Sequence, residues 1–138
     1  MLVSVGNHRL VLLRHGETEW SRDRKHTSHT DLDLTEQGRE QARLAAITIE
    51  GLGLDNPLVV SSPRRRALAT AELAGLRVDE VLPLLVEWDY GDYEGQTTHD
   101  IRTETPGWLP WTYGRPGGES VEQVSMRADP AAAYAVDH

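Results

Sequence analysis

The chain has no cysteine, which removes disulfide staples, thiolate metal sites and a cysteine nucleophile together. It has no apolar run approaching the roughly 20 residues that span a bilayer. The segment Met1 to Arg9 is too short and too weakly apolar for a secretory leader, so a cytoplasmic protein is expected. Lysine is nearly absent: of 14 basic residues only Lys25 is lysine, which reads as compositional habit and not as function. Against 22 acidic residues the formal net charge is −8. General attraction to nucleic acid or to an anionic membrane is therefore not expected. The positive charge that exists gathers locally, at Arg14 and at Arg64, Arg65 and Arg66. An acidic body with one basic cluster points to a small anionic ligand. At 138 residues the chain can form one domain with its own core.

Hydrophobic periodicity predicts alternating strands and helices. Arg9 to Leu13 reads as a buried strand, and Gly16 to Thr30 as a polar loop long enough to be functional. Thr35 is a natural N-cap for a helix from Glu36 to Glu50, with Ala42, Ala45, Ala46 and Ile49 on one face. Pro57 to Val60 reads as a second strand. Ser62-Pro63 then marks a helix start, with Ser62 as N-cap and Pro63 in the first helical position. Ala67, Ala71 and Ala74 line that helix, and Gly75 is placed to end it. Val78 to Leu82 reads as a third strand, and Glu87 to Gly95 as a loop. A short helix is predicted over Thr97 to Thr103. Pro106 to Gly118 is an irregular, lid-like stretch. A last helix runs from Glu119 to about Ala135, with Val121, Val124 and Ala128 inward and Pro130 bending or splitting it. This alternation predicts an α/β fold with a mostly parallel sheet between covering helices, a three-layer α/β/α arrangement.

Three polar islands interrupt the pattern. Val11-Leu12-Leu13 runs into Arg14-His15-Gly16-Glu17-Thr18, so an arginine and a histidine stand at the carboxyl end of a strand, where open α/β sheets bind ligands. Arginine holds anions by forked hydrogen bonds, and histidine can attack or exchange protons. A plain strand-to-loop junction is the competing reading. The triple Arg64-Arg65-Arg66 falls in the first turn of a helix, where cations are unfavourable unless an anion occupies the spot; a solvated charge run is the alternative. Glu87, between an apolar run and Trp88 and Tyr90, is either a surface glutamate or a partly buried acid suited to protonating a leaving group. Taken together, Arg14 and Arg66 would orient a phosphate. His15 would displace the alcohol and form a phosphohistidine. Glu87 would protonate the alkoxide and then activate water.

These motifs resemble the histidine phosphatase superfamily, the phosphoglycerate-mutase-like branch. The resemblance rests on Arg14-His15-Gly16-Glu17-Thr18; on Leu34-Thr35 with Gly38 and Gln41-Ala42; and on Ser61-Ser62-Pro63 with Arg66 and Thr70-Ala71. Glu87 with Gly91 and Glu94-Gly95, and Gly118-Glu119-Ser120, complete it. The segment Glu87 to Gly95 is most similar to small phosphatases of the branch, of the sugar-bisphosphatase and acid phosphatase type. The resemblance implies a single domain over 1–138, His15 as the phosphorylated nucleophile, Glu87 as proton donor, and Arg14 and Arg66 as phosphate ligands. It brings the loop of Thr27 and Ser28 to the phosphate as well. No cofactor and no metal are implied, and the partner is a small phosphorylated substrate, sugar phosphate or bisphosphate. A homodimer formed through an edge strand is an assembly known in the branch.

The family pattern also includes a second pocket histidine on a later central strand. This chain stops at Val136-Asp137-His138, and His138 follows no apolar run. The domain is therefore expected to lack its C-terminal strand or strands and, by itself, to be poorly active. His26 and His29 with His15 and Asp31 have spacing compatible with a metal, but no helical i, i+4 pair supports one; they are expected to line the substrate mouth or to be solvated. Trp88, Trp108 and Trp111 with Tyr113 and Arg115 form either a substrate wall or ordinary packing, and Arg115 is a candidate for a second anionic group. Two other functions share these motifs: a mutase, which differs in water access to the phosphoenzyme, and a non-catalytic binder of phosphorylated ligands.

Overall fold

A computed structural model describes residues 1–5 and 8–137; His138 lies outside the described residues. Strands β1 (Leu2–Val5) and β2 (His8–Val11) pair antiparallel, with Leu2 opposite Val11 and Val5 opposite His8. The ladder gains one more rung from the exchange between Met1 and Leu12, at 2.7 and 2.8 Å. β1 was not legible as a strand. β2 ends at Val11, before the predicted Leu13, and Leu12 and Leu13 are 49% and 40% exposed. Their exposure follows from pairing: β2 ladders with β1 and, among the described residues, not with the next strand.

β3 (Val60–Ser61) and β4 (Glu80–Val81) form a parallel pair, with Val60 opposite Glu80 and Ser61 opposite Val81. Parallel neighbours need a crossover, and helix α3 (Arg65–Leu73) supplies it. The class is α/β, with this pair as its parallel element. The described strands are shorter than the sequence predicts, and the antiparallel β1–β2 pair stands as a separate ladder.

Between β2 and β3 come a four-residue helix α1 (Glu19–Arg22) inside the predicted loop and the long helix α2 (Glu36–Gly51). Thr18 caps α1 through a reciprocal pair with Ser21, and Thr35 caps α2 by accepting from the Gly38 N–H. At the far end of α2, Arg9 donates to the carbonyls of Leu52 and Gly53 at 2.7 and 3.0 Å, a cation where the helix dipole favours one. Ala42 is buried on the predicted face, while Ala45, Ala46 and Ile49 are half-buried.

Helix α3 starts two residues later than Ser62-Pro63 predicts, with Arg64 as its N-cap residue. The Ser62 hydroxyl reaches the Arg64 N–H only at 3.4 Å, and the first helical N–H, that of Arg65, is capped instead by the Asp31 carboxylate at 2.9 Å. Its other end is as expected. Gly75 takes φ +73°, its N–H bonds the Glu72 carbonyl and the Leu76 N–H bonds the Ala71 carbonyl, the paired geometry that closes a helix on glycine.

Helix α4 (Thr98–Glu104) is capped by Thr97 in a reciprocal pair with Asp100. Helix α5 (Val121–Asp137) follows a Ser120–Gln123 reciprocal cap. α5 continues through Pro130 as one helix. Met126, whose carbonyl loses its helical partner there, and Pro130 are both exposed, so water can take the freed group. The inward face of α5 is turned from the predicted one: Val121 and Ala128 are exposed, whereas Arg127 is half-buried and Ala131 buried. The core gathers Trp88, Ile101 and Trp108 on one side, and Ala42, Ala71 and Ala74 between α2 and α3 on the other.

Candidate active site

The segment after β2 turns sharply at Gly16, and a set of hydrogen bonds and a glycine–glycine contact fix that turn. The Gly16 N–H donates to the Thr70 hydroxyl at 3.0 Å, and that hydroxyl donates to the Arg66 carbonyl at 2.7 Å. The Glu17 N–H donates to Gln41 at 2.9 Å, and the Glu17 carbonyl accepts from the Thr35 N–H at 2.9 Å. Gly16 and Gly38 lie backbone against backbone: a Cβ on Gly16 would sit 2.3 Å from the Gly38 carbonyl oxygen. Both glycines are therefore required by close approach.

This frame delivers Arg14 and His15 to a polar cavity of about 100 Å³ lined by Arg14, His15, Lys25, His26, Thr27, Glu87 and Tyr90. His15 Nδ1 lies 2.7 Å from its neighbour Gly16's carbonyl oxygen. A carbonyl only accepts, so Nδ1 carries the proton and Nε2 keeps its lone pair. Burial holds the His15 pKa below its ordinary value; the charges of Arg66 and Arg14 push the same way, against the Gly16 hydrogen bond and Glu87. Geometry and charge alike favour a neutral ring with an unprotonated Nε2.

Arg66 is buried beside this cavity and is not among its lining residues. Two of its N–H groups donate to the carbonyls of Thr30 and Ser28, at 3.0 and 3.2 Å. The N–H groups of Ser28 and Thr30 in turn donate to the Glu94 carboxylate at 2.9–3.0 Å. The 28–30 backbone is thus gripped from both sides by opposite charges. Ser28 is fully buried, and its hydroxyl donates to the Glu87 carbonyl at 2.9 Å instead of facing the cavity. Thr27 lines the cavity, with its hydroxyl donating to the Lys25 carbonyl at 3.1 Å.

The other two arginines of the triple clamp the same loop. Arg64 reaches His29 Nδ1 at 3.1 Å, and His29 Nε2 meets Asp89 at 3.0 Å. Arg65 meets Asp31 and Asp33 at 3.6 and 3.3 Å and donates to the Asp31 carbonyl. Of the cations at this helix N-terminus, Arg65 meets carboxylates, Arg64 meets the His29 ring and Arg66 meets backbone carbonyls. His29 and Asp31 are thereby committed to arginines, and no group of three metal-donor side chains occurs among the described residues.

Of the two readings of Glu87, a surface glutamate and a partly buried acid, its exposed side chain matches the first. Its aromatic neighbours pack on other groups: Trp88 lies under the Arg115 guanidinium at 3.3 Å and beside Trp111, and Tyr90 packs against His26 at 4.5 Å. One carboxylate oxygen of Glu87 accepts from the Trp88 N–H at 2.8 Å. His26 bridges the aromatic groups, edge-on to the fully buried Trp108 at 5.4 Å. Burial, then the Arg115 charge, lowers the His26 pKa. Arg115 itself is buried, donating to the carbonyls of Glu119 and Pro110. Sequence reasoning did not single out Lys25 or Tyr90 as cavity residues, nor Glu94 and Thr70 as supports. Lys25 carried one signal, as the lone lysine beside His26.

The chain matches the profile of the histidine phosphatase superfamily (branch 1) over residues 10–138. It is 58% identical to an acid phosphatase of Mycobacterium tuberculosis, across 99% of this chain and 67% of that protein. It is 35% identical to sedoheptulose 1,7-bisphosphatase of Saccharomyces cerevisiae, across 91% of this chain and 54% of that protein. The chain thus spans between half and two thirds of these relatives' lengths. A solved structure of an open reading frame product of Mycobacterium tuberculosis superposes with a TM-score of 0.93 at 59% identity, covering 96% of this chain and 68% of the other.

Proposed function

Because the chain belongs to branch 1 of the histidine phosphatase superfamily, we propose that it hydrolyses phosphate monoesters of small metabolites through a phosphohistidine on His15. The observation that carries this reading is the Nδ1 contact to the Gly16 carbonyl, which leaves Nε2 of a neutral ring free to attack. Arg14 lines the same cavity, and the buried Arg66 stands close enough to depress the His15 pKa by its charge. They neutralise and orient the phosphoryl oxygens. Nε2 bonds to phosphorus as the ester P–O bond breaks, and Glu87, on the cavity wall, gives its proton to the departing alkoxide. The Glu87 carboxylate then takes a proton from water as that water attacks phosphorus and releases His15. Two easier displacements replace one hard one.

The cavity is small and polar, which suits the phosphoryl group and a hydroxylated alcohol. The chain's similarity to an acid phosphatase and to a sugar bisphosphatase favours a sugar phosphate as the substrate class. The test is phosphate release from p-nitrophenyl phosphate and a panel of sugar phosphates by the chain and by His15→Ala. Because each variant is compared with its own parent, a low absolute rate does not blur the result. Turnover abolished by His15→Ala supports the reading. Tight phosphate-ligand binding without turnover by either protein would replace the enzyme with a binder.

A further inference from the structure

The phosphoryl chemistry leaves one conspicuous network unused. Glu119, in the Gly118-Glu119-Ser120 motif just before α5, and Arg127, eight residues later within α5, form a forked ion pair: Nε to Oε1 at 2.6 Å and Nη2 to Oε2 at 2.7 Å. Both side chains are largely buried, 22% and 18% exposed. The pair grips the irregular segment that carries Glu87. Arg127 donates to the carbonyls of Leu84, Val86 and Glu87 at 3.0, 2.7 and 3.2 Å. The Glu119 carboxylate accepts from the Asp89 N–H at 2.9 Å, and the Glu119 N–H donates back to the Asp89 carbonyl at 3.0 Å. The Trp88 indole N–H donates to the Glu119 carbonyl at 2.9 Å.

The backbones are pressed together here for the same purpose. A Cβ on Gly118 would meet the Asp89 carbonyl oxygen at 2.4 Å, and one on Gly91 would meet the Gly118 nitrogen at 2.4 Å. Residues 86–89 belong to no helix or strand, so Arg127 supplies the donors that a neighbouring strand would otherwise supply. The Glu87 carboxylate is exposed and touches its own backbone neighbour, Trp88 N–H. Its location is therefore set by where its backbone is held. Only Ser28 and Arg127 hold the Glu87 carbonyl among the contacts described.

We infer that Arg127, locked by Glu119, is a positioning residue that sets the proton donor Glu87 against the His15 cavity. The inference rests on the reading of Glu87 as proton donor. His15 and Arg66 are held by other elements: Thr70, Gly38 and the 28–30 loop. Loss of Arg127 consequently moves the acid and leaves nucleophile and phosphate ligands in place. Misplacing a catalytic group by about 1 Å can cost on the order of a hundredfold.

Leaving-group dependence tests this. Protonation matters little for the p-nitrophenolate group, which departs well as an anion, and greatly for an alkoxide. kcat/KM, which reports the steps through alcohol release, is measured for p-nitrophenyl phosphate and glycerol phosphate with the chain, Glu87→Gln, Arg127→Gln and Arg127→Lys. Arg127→Gln is expected to lose at least about tenfold more on glycerol phosphate than on the aryl ester. Arg127→Lys, which keeps the charge and loses the fork, falls between it and the parent, and guards against a folding defect in the neutral variant. Equal losses on both esters, or none, overturn the positioning role while Glu87→Gln keeps its leaving-group signature. A Glu87→Gln variant without that signature overturns the proton-donor reading instead.

Discussion

Replacing Gly38 by alanine would put a methyl carbon 2.1 Å from the Glu17 carbonyl oxygen and 2.7 Å from the Glu17 nitrogen. Both atoms are backbone, so no side chain can rotate out of the way. Either the first turn of α2 or the loop behind His15 has to move by roughly 1 Å, and overpacking of this kind costs about 1–3 kcal/mol. Alanine recovers about 0.5–1 kcal/mol through helix propensity, so a net loss of up to about 2.5 kcal/mol is expected. For a chain of this size that lowers Tm by about 3 °C per kcal/mol. Gly51, in the same helix, has nothing within 4 Å of its Cβ position, and is the internal control. Gly51→Ala is expected to be neutral or slightly stabilising. Urea midpoints of both variants, with phosphatase rate alongside, make the comparison, and Gly38→Ala should also lose activity because the displaced Glu17 drags Gly16 and His15. A Gly38→Ala protein as stable and active as the parent would refute the claim that this glycine contact holds the nucleophile.

Two further outcomes follow from the same geometry. Attack requires a neutral His15, and its pKa is held below the ordinary 6.5 by burial and by Arg66 and Arg14. The acid limb of kcat/KM should therefore lie below that value. Arg14→Gln removes a depressing charge, so the His15 pKa rises and the limb moves to higher pH, which a pH–rate profile checks. Thr70→Val keeps the side-chain shape and leaves the buried Gly16 N–H without its acceptor; a loss of about 1–3 kcal/mol in denaturant unfolding is expected, against no change if that bond is incidental.

The parts of this molecule that sequence reveals are those decided within a few residues. Thr35 as a cap and Gly75 as a helix stop depend on local rules, and each stands where expected; Arg14 and His15 line one cavity, but three and four residues beyond a strand that ends at Val11. What local rules could not give are partnerships across long separations. The Arg64–Arg66 run looked like an anion site or a solvated stretch because its compensating groups, Asp31, Asp33 and the 28–30 carbonyls, lie more than thirty residues earlier. The same holds for Arg127, which displaced Val121 and Ala128 from the inward face of α5 by pairing with Glu119 and reaching back to residues 84–87. Glu87 could be read either as a surface glutamate or as a partly buried acid, and it is exposed because its aromatic neighbours pack on Arg115 and His26. The β1–β2 pair was hidden for the same reason, since a strand's partner is a tertiary property.

The most direct test of the central claim is the stereochemical course at phosphorus, followed with a phosphorothioate monoester made chiral by oxygen isotopes and hydrolysed in isotopically labelled water. Two successive in-line displacements, first by His15 Nε2 and then by water, predict overall retention of configuration. Inversion would mean that water attacks the ester in a single step, and would contradict the phosphohistidine account.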